Sequence, residues 1–162
     1  MRRIILVVVC AFSAIEIWAQ TSDAEAEAIV NLLGVQKKEA ISKLVAVALK
    51  DSAVFWKLYD EYQKKNLQYA KLRIHLYEKT ASSYGNMSPL VADSLAVKYF
   101  ANRMAQEKGL EEYYKKIKAS TNAVTAFEFY QAEVYILTQV RAHIMQQIPT
   151  YGEFKLAAQK KQ

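Results

Sequence analysis

The 162-residue chain contains one cysteine, two prolines, two histidines and four glycines, and each scarcity removes a class of chemistry. A lone Cys10 leaves no second thiol for a disulfide within the chain, so stability has to come from packing. No glycine-rich phosphate loop, no Ser-His-Asp order and no cysteine nucleophile can be assembled from what is present. Of the two histidines, His75 has Glu78 three residues on, while His143 has no acidic residue three or four positions away. A metal site in a helical bundle needs several such ligands to converge, and a catalytic, cofactor or metal site is not expected. Between Val35 and Tyr84 there is neither glycine nor proline. Nothing in that stretch interrupts a helix.

What fills it is an aromatic ladder: Phe55, Trp56, Tyr59, Tyr62, Tyr69, Tyr77 and Tyr84. Steps of three, four and seven residues bring Phe55, Tyr59, Tyr62 and Tyr69 onto one broad face of a helix, with Trp56 turned away from Phe55. The spacing predicts a first core helix over 35–49 presenting Ile41, Leu44, Val45, Ala48 and Leu49. Asp51 or Ser52 would then cap a second helix over 52–84, about 50 Å long at 1.5 Å per residue. Gly85 and Asn86 would end it in left-handed geometry, and Ser88 with Pro89 would open a third helix to about Ala119. That helix is expected to bury Leu90 or Val91, Leu95, Val97, Phe100, Met104, Tyr114 and Ile117, with Gly109 weakening or bending its middle. Ser120, Thr121 and Asn122 read as a turn and cap before a fourth helix over 123–148, stopped by Pro149. Its apolar pattern, Phe127, Tyr130, Val134, Leu137, Arg141, Ile144 and Ile148, predicts a packing seam. Arg141 would either lie at the seam's edge with its head in water or pair with a buried carboxylate.

No useful strand-like alternation occurs, so the fold class is all-α: an elongated bundle of about four helices with long helical hairpins. Residues 35–149 form a single α-helical domain, preceded by a flexible or short helical segment over 20–34 and followed by a C-terminal tail over 150–162.

The first residues have the order of a secretory signal: Arg2 and Arg3, an apolar run from Ile4 to Ile15, then Ile17, Trp18 and Ala19. Cleavage after Ala19 is expected, making residues 1–19 a signal peptide and the location periplasmic. A lipoprotein signal ending at Cys10 fits less well, because no small residue precedes the cysteine. The 22 basic and 16 acidic side chains give a net charge of +6. The excess is scattered over helical positions such as Lys64 and Lys65, which reads as a solvated face or as attraction to acidic proteins or an anionic membrane surface. Nucleic acid is not an expected partner of an exported chain. Glu111 and Glu112 are adjacent on a helix and point about 100° apart, so they cannot act as facing carboxylates.

Four stretches carry a resemblance. They are Ala48-Leu49-Lys50-Asp51 with Phe55-Trp56-Lys57-Leu58-Tyr59-Asp60-Glu61-Tyr62, Leu72-Arg73-Ile74 with Tyr84-x-x-Met87, Tyr113-Tyr114-Lys115-Lys116, and Phe127-x-Phe129-Tyr130-Gln131-x-Glu133. Over residues 40 to 149 the chain resembles a group of exported helical proteins with a Phe-Trp-x-x-Tyr-x-x-Tyr core, which in turn resembles the Spy/CpxP-like periplasmic family. The resemblance implies long-helix hairpins, a homodimeric cradle and ATP-independent chaperoning or envelope-stress signalling. The family's Leu-Thr-x-x-Gln motif falls at Leu49 to Ala53 and at Ser120 to Val124, and neither copy keeps Leu-Thr or Gln.

Together these readings predict a non-enzymatic protein that binds unfolded or envelope polypeptides. The alternative is a dedicated structural or regulatory partner of one envelope protein. Tyrosine and tryptophan offer large contact area at low entropic cost. Trp56, Tyr69, Tyr77, Lys64 and Lys65 are the candidate partner-binding residues.

Overall fold

The structure, a computed structural model, describes residues 36–160. The expected signal peptide over 1–19, Cys10 and the segment over 20–34 lie outside the described residues. Helix α1 covers residues 36–44, α2 Leu49–Ser82, α3 Pro89–Ser120, α4 Ala123–Gln147 and α5 Tyr151–Gln159, with a short 3-10 turn at Tyr84–Asn86. The fold is an all-α bundle. Lys65 reaches Glu112, the Tyr69 carbonyl accepts from Asn102, and Thr80 bonds Tyr99. Partner numbers fall as α2 advances, so α2 and α3 form an antiparallel hairpin. Tyr62 meets Glu133 and Tyr84 meets Pro149, so α4 runs back alongside in the direction of α2. The 34 residues of α2 extend about 51 Å, which makes the bundle elongated.

The ends of these helices follow from local chemistry. Ser88 accepts from the Val91 N–H at 3.3 Å, with Pro89 in the first turn where its missing N–H is harmless. The Asn122 side chain accepts from Val124 and Thr125 N–H at 2.9 and 3.0 Å. Thr150 and Glu153 form a reciprocal capping box, so part of the expected C-terminal tail is helical.

Other ends differ from expectation. The first helix stops at residue 44, not 49, and residues 45–48 are unwound. There the Ala46 N–H donates to the carboxylate of Glu128 on α4, a tertiary bond from 82 residues away in sequence that replaces a helical one. Ile41 and Val45 are buried as expected, whereas Leu44 is exposed and Leu49 fully so. Helix α2 begins at Leu49 without a side-chain cap, so neither Asp51 nor Ser52 serves as one. Gly85 sits in the 3-10 turn, and no described residue has a positive φ. Tyr84 is held instead by tertiary contacts: its hydroxyl donates to the Pro149 carbonyl at 2.6 Å and its ring packs on Tyr151 and Phe154 of α5. Helix α3 passes Gly109 unbroken.

The core gathers at one end, where Ile41, Val45, Phe55, Tyr59, Tyr62, Leu110, Tyr113, Ile117, Ala126, Phe129 and Ala132 form one cluster. Phe129 is its centre, meeting Phe55, Tyr59 and Tyr62 edge-on at 5.4 to 6.4 Å between centroids. The predicted seam of α4 is therefore corrected. Phe127, Tyr130 and Val134 are exposed, and the buried face carries Thr125, Ala126, Phe129, Ala132 and Glu133. Small residues at 126 and 132 let α4 approach its neighbours closely, and the larger side chains turn outward. The same correction applies to α3, where Leu90, Val97, Phe100 and Met104 are exposed. In their place Asn102, Gln106, Gly109, Leu110 and Tyr113 are buried with Leu95 and Ile117.

Candidate functional site

The fully buried Glu133 organises a polar network inside the aromatic end. Lys37 of α1 pairs with its Oε2 at 2.6 Å, and the Tyr62 hydroxyl donates to the same oxygen at 2.8 Å. Lys37 also donates to Gln63, whose amide donates to the Tyr59 hydroxyl. Burial, and then the charge of Glu133, pushes the Tyr62 and Tyr59 hydroxyls well above the usual phenol range. One oxygen of Glu133, Oε1, has no hydrogen-bond partner. The network joins α1, α2 and α4, with Lys37 and Gln63 at its half-buried border.

Two of the predicted binding residues are tied into neighbouring seams. Trp56 is half-buried, edge-on to Phe55 at 5.0 Å and to Tyr59 at 5.6 Å, with the Lys38 ammonium 5.5 Å from its ring. Lys65 bonds Glu112 at 2.5 Å, and Glu112 also holds Lys116, so both ammonium groups sit over Tyr113. These two lysines hold the Glu112 carboxyl down to about 2, and Lys115 lowers that of Glu111. The adjacent carboxylates thus belong to ion pairs along α3. Tyr69 is half-buried on the α2–α3 side, its main-chain carbonyl bonded to Asn102.

Lys64 and Tyr77 come together. Both line a groove of about 1040 Å³ between α2 and α4. Its floor is apolar: Leu67, Ala70, Ile74 and Tyr77 follow one face of α2, and Ile136, Leu137, Val140 and Ile144 follow one face of α4. Lys37, Lys38 and Asp60 stand at one end, and Arg73 and Arg141 line the middle. Arg73 donates through Nε to Asn102 at 2.6 Å and lies 5.7 Å from the Tyr99 ring, while its Nη2 is buried and has no partner. Arg141 reaches Gln106 at 3.4 Å, and burial together with the nearby charge of Arg73 lowers its pKa. Arg141 is half-buried along the groove, and Gln106 rather than a buried carboxylate is its partner.

Sequence reading missed this arginine pair because its members lie on different helices, and no local spacing connects them. The available signal was the row Leu67, Ala70, Ile74, Tyr77, a helical stripe displaced from that of Phe55, Tyr59 and Tyr62.

Among the described residues, no three His, Cys, Asp or Glu side chains converge as a metal site would require. His75 Nδ1 lies 3.2 Å from Glu78. No helix of the described residues is long and apolar enough to cross a membrane. Comparisons of the chain with protein-family models, with curated proteins and with solved structures find no match.

Proposed function

We propose that this chain is a non-enzymatic, exported polypeptide-binding protein that holds extended or unfolded segments in the α2–α4 groove. The observation that carries the reading is an apolar trough fitted with two arginines, Arg73 with a buried nitrogen that has no partner and Arg141 bonded to the neutral Gln106. Apolar side chains of a bound segment would cover Leu67, Ile74, Leu137 and Val140, and its acidic side chains would meet Arg73, Arg141 and Lys64. Each charged bond made in a partly desolvated groove is stronger than its surface equivalent. Burying aliphatic area contributes about 25 cal/mol per Å² before the cost of ordering the segment.

The basic and apolar residues at the N-terminus support export to the periplasm. The resemblance to the Spy/CpxP-like family supports chaperone-like holding of clients. Trp56 and Lys65, already packed against partners, contribute to the scaffold in this reading, and Lys64 and Tyr77 contribute to the groove.

The test is binding of an unfolded, acidic test polypeptide by fluorescence anisotropy, with aggregation of the same polypeptide followed by light scattering. Purified protein without residues 1–19 should slow aggregation, and Arg141→Glu and Lys64→Glu should each weaken binding about tenfold, with a steep loss in high salt. Absence of binding together with unchanged aggregation would sink the proposal. Recovery of one stoichiometric partner from an envelope fraction would replace it with the dedicated-partner reading.

A further inference from the structure

The described chain begins at Gln36, and Gln36, Lys37, Lys38 and Ala40 of α1 line one end of the α2–α4 groove. Lys37 donates to Gln63 and Lys38 to Asp60, so α1 runs antiparallel to α2, and the pairing of Lys37 with Glu133 seats it over α4 as well. Residues before Gln36 that keep this direction pass along the groove, from Leu67 toward Tyr77 on one wall and from Ile136 toward Ile144 on the other. The stretch from Gln20 to Val35 is long enough. As a helix its sixteen residues rise about 24 Å, against about 15 Å from Leu67 to Tyr77 along α2. We infer that the resident of the groove is a segment of the chain itself, residues 23–33, docked antiparallel to α2 with its acidic end at Arg73 and Arg141.

The segment matches the groove level by level. Ala26, Ile29, Val30 and Leu33 recur at helical spacing, and Asp23, Glu25 and Glu27 are the only charges between Gln20 and Val35. The register of Lys37 with Gln63 and Lys38 with Asp60, continued one residue back for each residue forward on α2, sets Leu33 near Leu67 and Ile29 near Ala70. The same register sets Glu25 and Glu27 on either side of Arg73. The apolar part thus meets apolar walls, and the acids arrive where the charge is. Lys37 and Lys38 already hold Glu133 and Asp60, which leaves Lys64, Arg73 and Arg141 among the described lining cations for an incoming acid. Arg73 has the buried nitrogen without a partner, and Arg141 bonds the neutral Gln106. A carboxylate between the two guanidinium groups offsets their repulsion and makes charge-assisted bonds that an amide cannot.

A second groove, of about 1020 Å³ between α3 and α4, does not suit the same segment. Its apolar walls, among them Phe100, Met104 and Phe127, are edged by Glu107 and Glu111 as well as by Arg103 and Lys108, and no described residue of α1 lines it. Docking along α2 also needs no second molecule, because the tether to α1 supplies a high effective concentration and modest contacts suffice. The docking stands on the geometry of the groove alone. Its consequence for clients rests on the function proposed above: a client enters by displacing the segment.

Protein without residues 1–19 has no cysteine, so a pair can be introduced and its oxidation followed on non-reducing gels. Ile29→Cys with Ala70→Cys should form a disulfide within one chain about tenfold faster than Ile29→Cys with Gln68→Cys. Gln68 is exposed and points about 160° away from Ala70 around α2. Glu25→Lys with Glu27→Lys should slow the 29–70 disulfide about fivefold, and salt at about 1 M should slow it in the parent pair. Circular dichroism checks that each variant keeps its helices. Equal rates at positions 68 and 70, a disulfide that joins two chains, or a rate indifferent to the two lysines would each overturn the inference. Once formed, the 29–70 disulfide should weaken binding of the acidic test polypeptide about tenfold, and reduction should restore it. A selective 29–70 disulfide in a protein that binds no polypeptide even when reduced would sink the proposed function and uphold the docking.

Discussion

Around Tyr62 the helices meet through rings: Phe55, Tyr59, Tyr113 and Phe129 close on one another, and the one buried carboxylate there, Glu133, is matched by Lys37 and Tyr62. About three turns further along α2, around Arg73, they meet through amides. Asn102 bridges Arg73 and the Tyr69 carbonyl, and Gln106 lies between Asn66 and Arg141. The first region buries area densely and meets the grooves at its margin, through residues such as Lys37, Gln63 and Leu110. The second keeps α2 and α4 apart, has a guanidinium nitrogen without a partner, and opens onto the α2–α4 trough. The contrast teaches that dense aromatic packing and an open, arginine-lined trough take up different lengths of the same long helices.

If the aromatic end carries the stability, the largest effect should come from its centre. Phe129→Ala is expected to cost about 4 kcal/mol by removing a ring that three others touch, read by chemical denaturation. A cost under about 1 kcal/mol would abolish the distinction between the two ends. Next, Lys37→Ala leaves Glu133 charged and buried without its cation and should cost about 3 kcal/mol. Lys37→Ala with Glu133→Gln should recover part of that loss.

Tyr62→Phe is expected to cost about 2 kcal/mol, the value of a hydrogen bond to a charged group. It also tests pH dependence. The Tyr62 hydroxyl is held well above its ordinary value of 10.0, chiefly by burial and then by Glu133. Folded protein therefore keeps a proton that the unfolded chain gives up, so this contribution is complete below pH 10 and is lost as pH rises beyond it. Thermal melts should fall more steeply above pH 10 in the parent than in Tyr62→Phe. The smallest effect sharpens the comparison from α3. Nothing lies within 4 Å of where a Cβ would stand at Gly109, so Gly109→Ala should stabilise the fold by about 1 kcal/mol through helix propensity alone.

How much of this was legible follows the same division. Helix starts at Ser88 and Asn122 were readable because capping is local chemistry, complete within four residues. Phe55, Tyr59, Tyr62, Ile41 and Val45 were readable as core because large apolar residues at helical spacing have to be covered. The faces of α3 and α4 were misread by the same rule. Ala126 and Ala132 are buried because they are small, and Asn102, Gln106 and Glu133 because partners on other helices satisfy them. Neither reason leaves a mark in hydropathy. The unwinding over 45–48 depends on Glu128, and the fate of Lys65 on Glu112, so both required the assembled bundle. Of the candidate binding residues, Lys64 and Tyr77 reach one groove, whereas the arginines that give that groove its charge come from separate helices.

The bond from Tyr84 to the Pro149 carbonyl also sets an order in time. The end of the α2–α3 hairpin is covered by a carbonyl 65 residues downstream and by two rings, Tyr151 and Phe154, just beyond it. A chain made from its N-terminus has the aromatic core available once Phe129 has emerged, while Tyr84 waits uncovered until α5 has been synthesised. Closing so long a loop late adds little to its entropic cost but fixes its place in the sequence of events. The bundle is thus finished at the end opposite its aromatic core, and truncation after α4 would leave an exposed tyrosine where α5 provides a seal.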